Sequence, residues 1–240
     1  MQKFIPIALM AILIVGCKGG DTTASTGGGE STTGGAMSAD KSITLKMAPK
    51  QGEKYSYVMT SSGAASTEMG MTMTAEKVEA DKITLVTTFD SMKMNGTDAP
   101  AAVMDAMKKM KVITEMDSSG KSLSTKIEGA PAGTPTPDAS STTYPTTPIK
   151  VGDTWEGTVK MSGTEMKTKY KLAKIETVGG MEVAVLESTT EGMPAGASQD
   201  GPTVTSVEIA TGMPVSMMTK MKMKGADGKE TVSTTEMKRK

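Results

Sequence analysis

Residues 51–59 read QGEKYSYVM, and the same order of glycine, acidic, polar and aromatic residues returns at residues 151–159, which read VGDTWEGTV. Two further blocks recur in the same order along the chain: residues 77–86 with residues 174–185, across a small gap, and residues 117–120 with residues 209–212. Three matches in one order are not expected by chance, and self-similarity of this kind indicates repeated structural units. The sequence therefore predicts two similar halves.

Both halves carry the residue pattern of β-strands. Apolar and polar residues alternate in residues 69–74, 183–186 and 217–224, as they do where one face of a strand is buried. Gly179 and Gly180 lie between two apolar runs and are typical of a two-residue hairpin turn. Threonine is abundant throughout and favours strands. We therefore predict a mainly β, antiparallel fold, built either as two small sheets or as one continuous curved sheet.

One short helix is predicted near residues 99–111. Asp98 is a candidate N-cap, and Pro100 suits the first turn, because proline lacks an N–H that a first turn would leave unpaired. The apolar residues of this segment fall on one helical face: Val103, Met104, Met107 and Met110. That face predicts packing of the helix against the sheet.

Composition divides the rest of the chain. Residues 129–148 are rich in proline and threonine, which predicts a connector between a first β-rich repeat at 42–128 and a second at 149–240. Residues 17–41 consist mainly of glycine, serine and threonine after the cysteine. Such a stretch does not bury enough apolar surface to offset the entropy of ordering, so we expect a flexible tether there.

The N-terminus has the order of a secretory signal peptide. Lys3 precedes an apolar run at residues 4–15, and a small residue, Gly16, stands before Cys17. The run is shorter than the ~20 residues that a membrane-spanning helix needs. Its end, Ile14-Val15-Gly16-Cys17, resembles the lipobox of bacterial lipoproteins. The resemblance implies that residues 1–16 are removed by cleavage between Gly16 and Cys17 and that Cys17 carries the lipid.

The lipoprotein resemblance also implies a location and partners. Cys17 is the single cysteine of the chain, so disulfides within the chain and cysteine metal sites are excluded. The resemblance implies that Cys17 is palmitoylated, as in lipoproteins. Its long acyl chains would attach the protein to a membrane that it does not span. Because Lys18 follows the cysteine and aspartate does not, the resemblance favours the outer membrane over the inner one. The expected partners are that membrane and the lipoprotein export and processing machinery.

Charge and residue types argue against several functions. The chain has 27 basic and 27 acidic residues, a balance that gives no attraction to nucleic acid. It contains no histidine, and its cysteine is assigned to lipid, so Ser-His and Cys-His nucleophile systems are not available. We therefore expect no catalytic residues, no cofactor and no enzyme activity.

Methionine is the most unusual feature of the composition, with 24 residues in 240. Thioethers are soft ligands that could bind Cu(I) or Ag(I) in an exported protein. The candidate ligands cluster in two segments: Met69, Met71 and Met73, and Met217, Met221 and Met223. Their alternate spacing in strands instead favours one buried face, where methionine replaces the leucine and phenylalanine that this sequence lacks. We therefore predict core residues and no metal site.

The sequence supports a lipid-anchored, non-catalytic envelope protein with a structural or binding role. In this respect the chain resembles an uncharacterised class of tandem-repeat, β-rich bacterial lipoproteins. Tyr55 and Trp155 occupy equivalent places in the repeats and are candidates to line a ligand groove, although aromatic residues packed over a sheet are more common. Two alternatives remain: a carrier that holds a lipid or other apolar ligand in a methionine-lined concavity, and a periplasmic Cu(I) or Ag(I) binder.

Overall fold

The computed structural model describes residues 41–63, 65–130, 143–161, 164–194, 196–225 and 229–240. The described strands and helix are, in chain order, β1 (Lys54–Ser62), β2 (Thr67–Val78), β3 (Ile83–Met94), β4 (Thr97–Asp98), α1 (Ala101–Lys109), β5 (Lys111–Met116), β6 (Ser122–Glu128), β7 (Thr154–Met161), β8 (Thr164–Val178), β9 (Met181–Glu191), β10 (Ala197–Gln199), β11 (Thr203–Glu208), β12 (Pro214–Lys224) and β13 (Glu230–Arg239). The predicted mainly antiparallel β class with one short helix is confirmed.

All of these strands belong to one open, curved sheet. Its order is β6-β5-β3-β2-β1-β13-β12-β11-β9-β8-β7, while β4 pairs with β3 and β10 pairs with β12. Each half of the chain is thus a meander, and the two meanders join where β1 pairs antiparallel with β13. Of the two predicted arrangements, the single curved sheet is the one that forms. No helix in the described part of the chain has the length and apolar character needed to cross a membrane.

The two meanders begin with the same local geometry. Gly52 has a φ of 81° and donates its N–H to Ala75 O at 2.7 Å. Gly152 has a φ of 98° and donates its N–H to Leu172 O at 2.8 Å. An irregularity in the strand pairing follows Ala75 in β2 and Leu172 in β8. These shared features support the internal repeat, whose boundaries remain a prediction.

The hydrophobic core fills the inner face of the sheet. Ile43, Leu45 and Met47, in the segment before β1, are all buried, and Ile43 pairs with Ile149 beyond the connector. Around them pack side chains from both meanders: Tyr55, Tyr57, Met71, Ala75, Ile83, Leu85, Met116, Tyr144, Leu172, Ile175, Ala184, Leu186, Val207, Met213 and Met237. The segment before β1 is therefore part of the hydrophobic core.

The helix starts differently from the prediction. Pro100 holds the N-cap position, and no side chain caps the helix. Asp98 instead belongs to the two-residue strand β4, where it pairs with Lys93. The predicted role of Asp98 as the N-cap is therefore wrong, because strand pairing holds it two residues before the N-cap position. The hairpin turn at Gly179 and Gly180 is confirmed, with positive φ at both residues.

Candidate functional site

A row of methionines crosses the inner face, the side of the sheet that carries the core. The strand register joins one methionine from each of five neighbouring strands: Met217, Met237, Met59, Met69 and Met92. Directly paired residues on one face have side chains about 4.5–5.5 Å apart at Cβ, close enough to pack. We call this set the methionine row. It spans the junction of the two meanders.

Helix α1 covers the end of the methionine row that lies in the first meander. Met107 of the helix and Ala99 just before it are buried together with Met69 and Met92. Met92 is 2% exposed. The flexible thioether side chain fills irregular space between a helix and a sheet, which is what these residues do here. This part of the inner face is closed.

The other end of the inner face lies in the second meander, and no helix among the described residues covers it. Met217 lies opposite the buried Met237, so it faces inward. Met221 and Met223 follow at even spacing and share that side, because alternate strand residues point to one face. All three of these β12 methionines are only half-buried, whereas Met218 on the outer side is 40% exposed. The inner side of β12 therefore presents apolar surface that the described residues leave partly open.

Beside these methionines, polar groups form a hydrogen-bonded chain across the five strands β8 to β12. Thr168 Oγ1 lies 3.0 Å from Thr190 Oγ1, and the Thr190 N–H donates to Gln199 Oε1 at 2.6 Å. Gln199 Nε2 donates to Thr203 Oγ1 at 3.0 Å, and the Thr203 hydroxyl donates to Thr219 Oγ1 at 2.8 Å. We call these five residues the hydroxyl chain. It ends on β12, on the same side as the half-buried methionines.

A groove of about 490 Å³ lies where β9 and β10 separate. The pairing of β9 with β11 begins at Ser188, and β10 pairs with β12 instead. The side chain of Gln199 bridges the resulting gap. The lining residues are Thr189, Thr190, Gly192, Met193, Ala197, Ser198, Gln199, Gly201 and Pro202. None of them carries a charge, although 22% of the chain is charged.

A charged cluster closes the junction between β1 and β13. Arg239, the single arginine of the sequence, pairs its Nη1 with Glu208 Oε2 at 2.8 Å. Its Nη2 donates to Met213 O at 3.1 Å, and its guanidinium lies 5.0 Å from the centre of the Tyr55 ring. The Arg239 and Glu208 side chains are 14% and 17% exposed. Because the arginine already has partners on several sides, this cluster is structural.

The buried tyrosines act as hydrogen-bond donors. Burial raises the pKa of Tyr57 to about 12, and its hydroxyl donates to Pro214 O at 3.0 Å. Burial also raises the pKa of Tyr144, whose hydroxyl donates to Gly212 O at 2.7 Å. These phenols therefore stay protonated at neutral pH, and they hold the core together rather than accept protons.

The two aromatic candidates are packed by the protein's own residues. Trp155 stacks on Tyr170 with ring centres 5.4 Å apart, and its Nε1 donates to Thr143 O at 2.7 Å. Tyr55 is 4% exposed and donates its hydroxyl to Glu53 Oε2 at 2.7 Å. This hydrogen bond lowers the pKa of the Glu53 carboxyl. Neither ring lines the groove.

The six methionine candidates for Cu(I) do not form one cluster. Met69, Met71 and Met73 lie on β2, and the other three lie on β12, three strands further across the sheet. Met71 is buried, and Met73 packs half-buried against the core. Within the described ranges, no group of three or more histidine, cysteine, aspartate or glutamate side chains is arranged to hold a metal ion. Gly16 and Cys17 lie outside the described residues.

The sequence did not single out Gln199, Thr203 or Thr219. Gln199 stands between glycines and prolines, which indicate a loop but give no sign that its amide bridges two strands. Thr203 and Thr219 lie in ordinary β-strand patterns. Their association depends on the pairing of strands β9 to β12, which local sequence does not specify.

No family model matches the chain, and no curated protein matches it. One solved structure is similar: a domain from Vibrio parahaemolyticus described as a "putative outer membrane lipoprotein-sorting protein domain". Its sequence identity to this chain is 13%, the match covers 78% of this chain and 82% of that domain, and the TM-score is 0.29.

Proposed function

We propose that this chain is a lipid-anchored, non-catalytic protein of the bacterial envelope that binds an apolar ligand on the inner face of its second meander. The observation that carries the proposal is the contrast between the two ends of the inner face. The end on β2 and β3 is covered by α1, whereas Met217, Met221 and Met223 on β12 are half-buried beside a groove.

The physical argument rests on apolar surface and adaptable side chains. Transfer of a large apolar side chain from water to an apolar contact contributes about 1.5–3 kcal/mol when burial is complete. Half-buried methionines still expose apolar surface, and a ligand that covers this surface gains the remaining part of that free energy. Methionine also adjusts its shape through three rotatable bonds, which suits ligands such as acyl chains. Ligand pockets in proteins are mostly apolar with a few polar groups, as this groove and its surroundings are.

The proposed anchor is the lipobox at Cys17, with Gly16 at the cleavage position. The tether of residues 17–41 then holds the sheet away from the membrane surface. Because Lys18 and not aspartate follows the cysteine, the proposed membrane is the outer one. The partners that this proposal requires are the membrane and the lipoprotein export and processing machinery. The absence of histidine and the neutral groove support a binding role rather than catalysis.

The test compares two methionines that are three positions apart on one strand. Met221→Lys places a charge on the inner side of β12, and Met218→Lys places the same charge on the outer side. We expect the affinity for the fluorescent probe N-phenyl-1-naphthylamine to fall at least tenfold in the inner variant, because the buried ammonium is costly to desolvate. The outer variant should bind like the wild type, and melting curves should show both variants folded.

Equal binding by the two variants would overturn the proposal. Native mass spectrometry of the full chain, purified from a bacterial envelope, gives an independent readout. A bound mass of lipid size supports the apolar-ligand proposal. A bound mass of copper or silver without lipid contradicts it and supports the metal alternative.

A further inference from the structure

We infer that the groove between β9 and β10 holds the neutral polar headgroup of an amphipathic lipid, with Gln199 as the specificity-determining residue. This inference rests on the proposed function and names the class of ligand. The juxtaposition behind it is a charge-free groove, an amide that bridges the two strands and a half-buried methionine directly across the register from that amide.

The charge of the groove indicates the headgroup. A phosphate or carboxylate needs charged or closely grouped donors to replace its water, and arginine and lysine supply them most often. All nine lining residues are neutral. Asp200 and Lys222, next to the groove in sequence and register, form an ion pair of 2.6 Å with each other. The site is therefore matched to an uncharged group such as the glycerol of a monoacylglycerol.

The hydroxyl chain supplies the hydrogen-bonding capacity that such a group needs. The Gln199 amide uses one N–H towards Thr203 and one oxygen lone pair towards the Thr190 N–H. An amide group has two N–H donors and two lone pairs, so Gln199 is equipped for one further donation and one further acceptance. The Thr219 hydroxyl accepts from Thr203 and retains its own proton for donation. Donors and acceptors side by side match glycerol hydroxyls, which both donate and accept.

The register gives the orientation of the ligand. Gln199 pairs with Met221, and Ala197 pairs with Met223. A headgroup at Gln199 therefore places the attached chain over the inner side of β12, where the half-buried methionines lie. Polar and apolar parts of one molecule then meet surfaces of the matching kind.

The experiment compares three lipids with the same oleoyl chain and different headgroups. 1-Oleoylglycerol, oleate and oleoyl lysophosphatidate are each used to displace N-phenyl-1-naphthylamine from the full chain, below their micelle concentrations. We expect 1-oleoylglycerol to bind at least tenfold more tightly than the two anions. Gln199→Ala should weaken 1-oleoylglycerol binding about three- to tenfold, the range of one or two neutral hydrogen bonds.

Gln51→Ala is the matched control, since Gln51 is exposed in the turn before β1. If Gln199→Ala lowers the melting temperature, Thr219→Val replaces it, because this change removes one hydroxyl with little change of shape. Equal affinity for the three lipids, or no headgroup effect in Gln199→Ala and Thr219→Val, would overturn the inference and leave the proposed function standing. Failure of the wild type to bind the probe or any lipid would overturn the proposed function and this inference together.

Discussion

The two meanders use the same strand pairing but finish their inner faces in different ways. In the first, 101–109 form a helix that buries Met69 and Met92. In the second, the corresponding connection between β9 and β11 contains the short strand β10 and borders a groove. In the first meander the inner face thus consists of methionines packed under a helix. In the second it presents threonine, glutamine and half-buried methionine side chains. One sheet can therefore provide a stable scaffold in one half and a binding surface in the other.

The largest expected effect comes from truncating one methionine in each half. Met92→Ala should lower the free energy of unfolding by about 2–5 kcal/mol, because Met92 is 2% exposed and its removal leaves a cavity. Met221→Ala should cost about 1 kcal/mol or less, since the side chain is only half-buried. Urea denaturation of both variants measures the difference. Equal losses would show that the second inner face is packed as firmly as the first.

The junction of the meanders provides the next test. Arg239→Ala should lower the free energy of unfolding by about 2–3 kcal/mol, because it leaves the poorly exposed Glu208 carboxylate without its cation. A double-mutant cycle with Glu208→Ala isolates the interaction between the two side chains. We expect a coupling energy above about 1 kcal/mol. Strict additivity of the two single variants would mean that the ion pair does not stabilise the junction.

Alanine substitutions at two glycines test whether a helix packs on the first meander but not on the second. Gly129 has a φ of 72°, and a Cβ there would lie 2.0 Å from Lys109 O, at the end of α1. Gly201 has a φ of 95° and no atom within 4 Å of the Cβ position. Gly129→Ala should therefore cost about 2–3 kcal/mol, and Gly201→Ala about 1 kcal/mol from the positive φ alone. Thermal melts compare the two variants, and a reversed order would contradict the packing of Gly129 against the helix.

The smallest effect concerns pH and the shared core. The pKa of Tyr57 is raised from 10 to about 12, so the folded state favours the protonated phenol. Its contribution to stability is therefore fully present below pH 10 and is lost as the pH rises through 12. At pH 11 the loss should be about 1.4 kcal/mol relative to pH 8, since one pKa unit corresponds to about that energy. Urea denaturation at both pH values should show a smaller loss in Tyr57→Phe than in the wild type.

Local patterns in the sequence predicted the strands, the helix near residues 99–111 and the hairpin at Gly179 and Gly180, because these depend on neighbouring residues. The repeat also predicted two similar halves, and the turns at Gly52 and Gly152 have the same local geometry. The pairing of β1 with β13 was not predicted, since these strands lie at opposite ends of the body and nothing local specifies their contact. The methionine row could not be predicted without that pairing, because its members come from five strands.

The candidate site was less accessible to sequence reasoning than the fold. The alternate spacing of the methionines indicates one face of each strand, yet spacing alone does not distinguish the covered β2 from the partly open β12. Gln199 lies in a segment of glycine and proline, and its role follows from the separation of β9 and β10. Capping by Asp98 was predicted incorrectly because the pairing of β4 with β3 overrides the local preference of aspartate for helix starts.

Methionine oxidation tests most directly whether the inner face of the second meander receives the ligand. The folded chain is treated with dilute hydrogen peroxide, with and without 1-oleoylglycerol, and each sulfoxide is located by tandem mass spectrometry of two fragments, one that contains all of β12 and one that contains Met92. We predict that the lipid slows the oxidation of Met221 and Met223 and leaves the oxidation rate of the outer Met218 unchanged. Met92 should be unreactive with or without lipid, because helix α1 covers it. Saturating lipid that leaves Met221 and Met223 oxidising at their original rates would contradict this account.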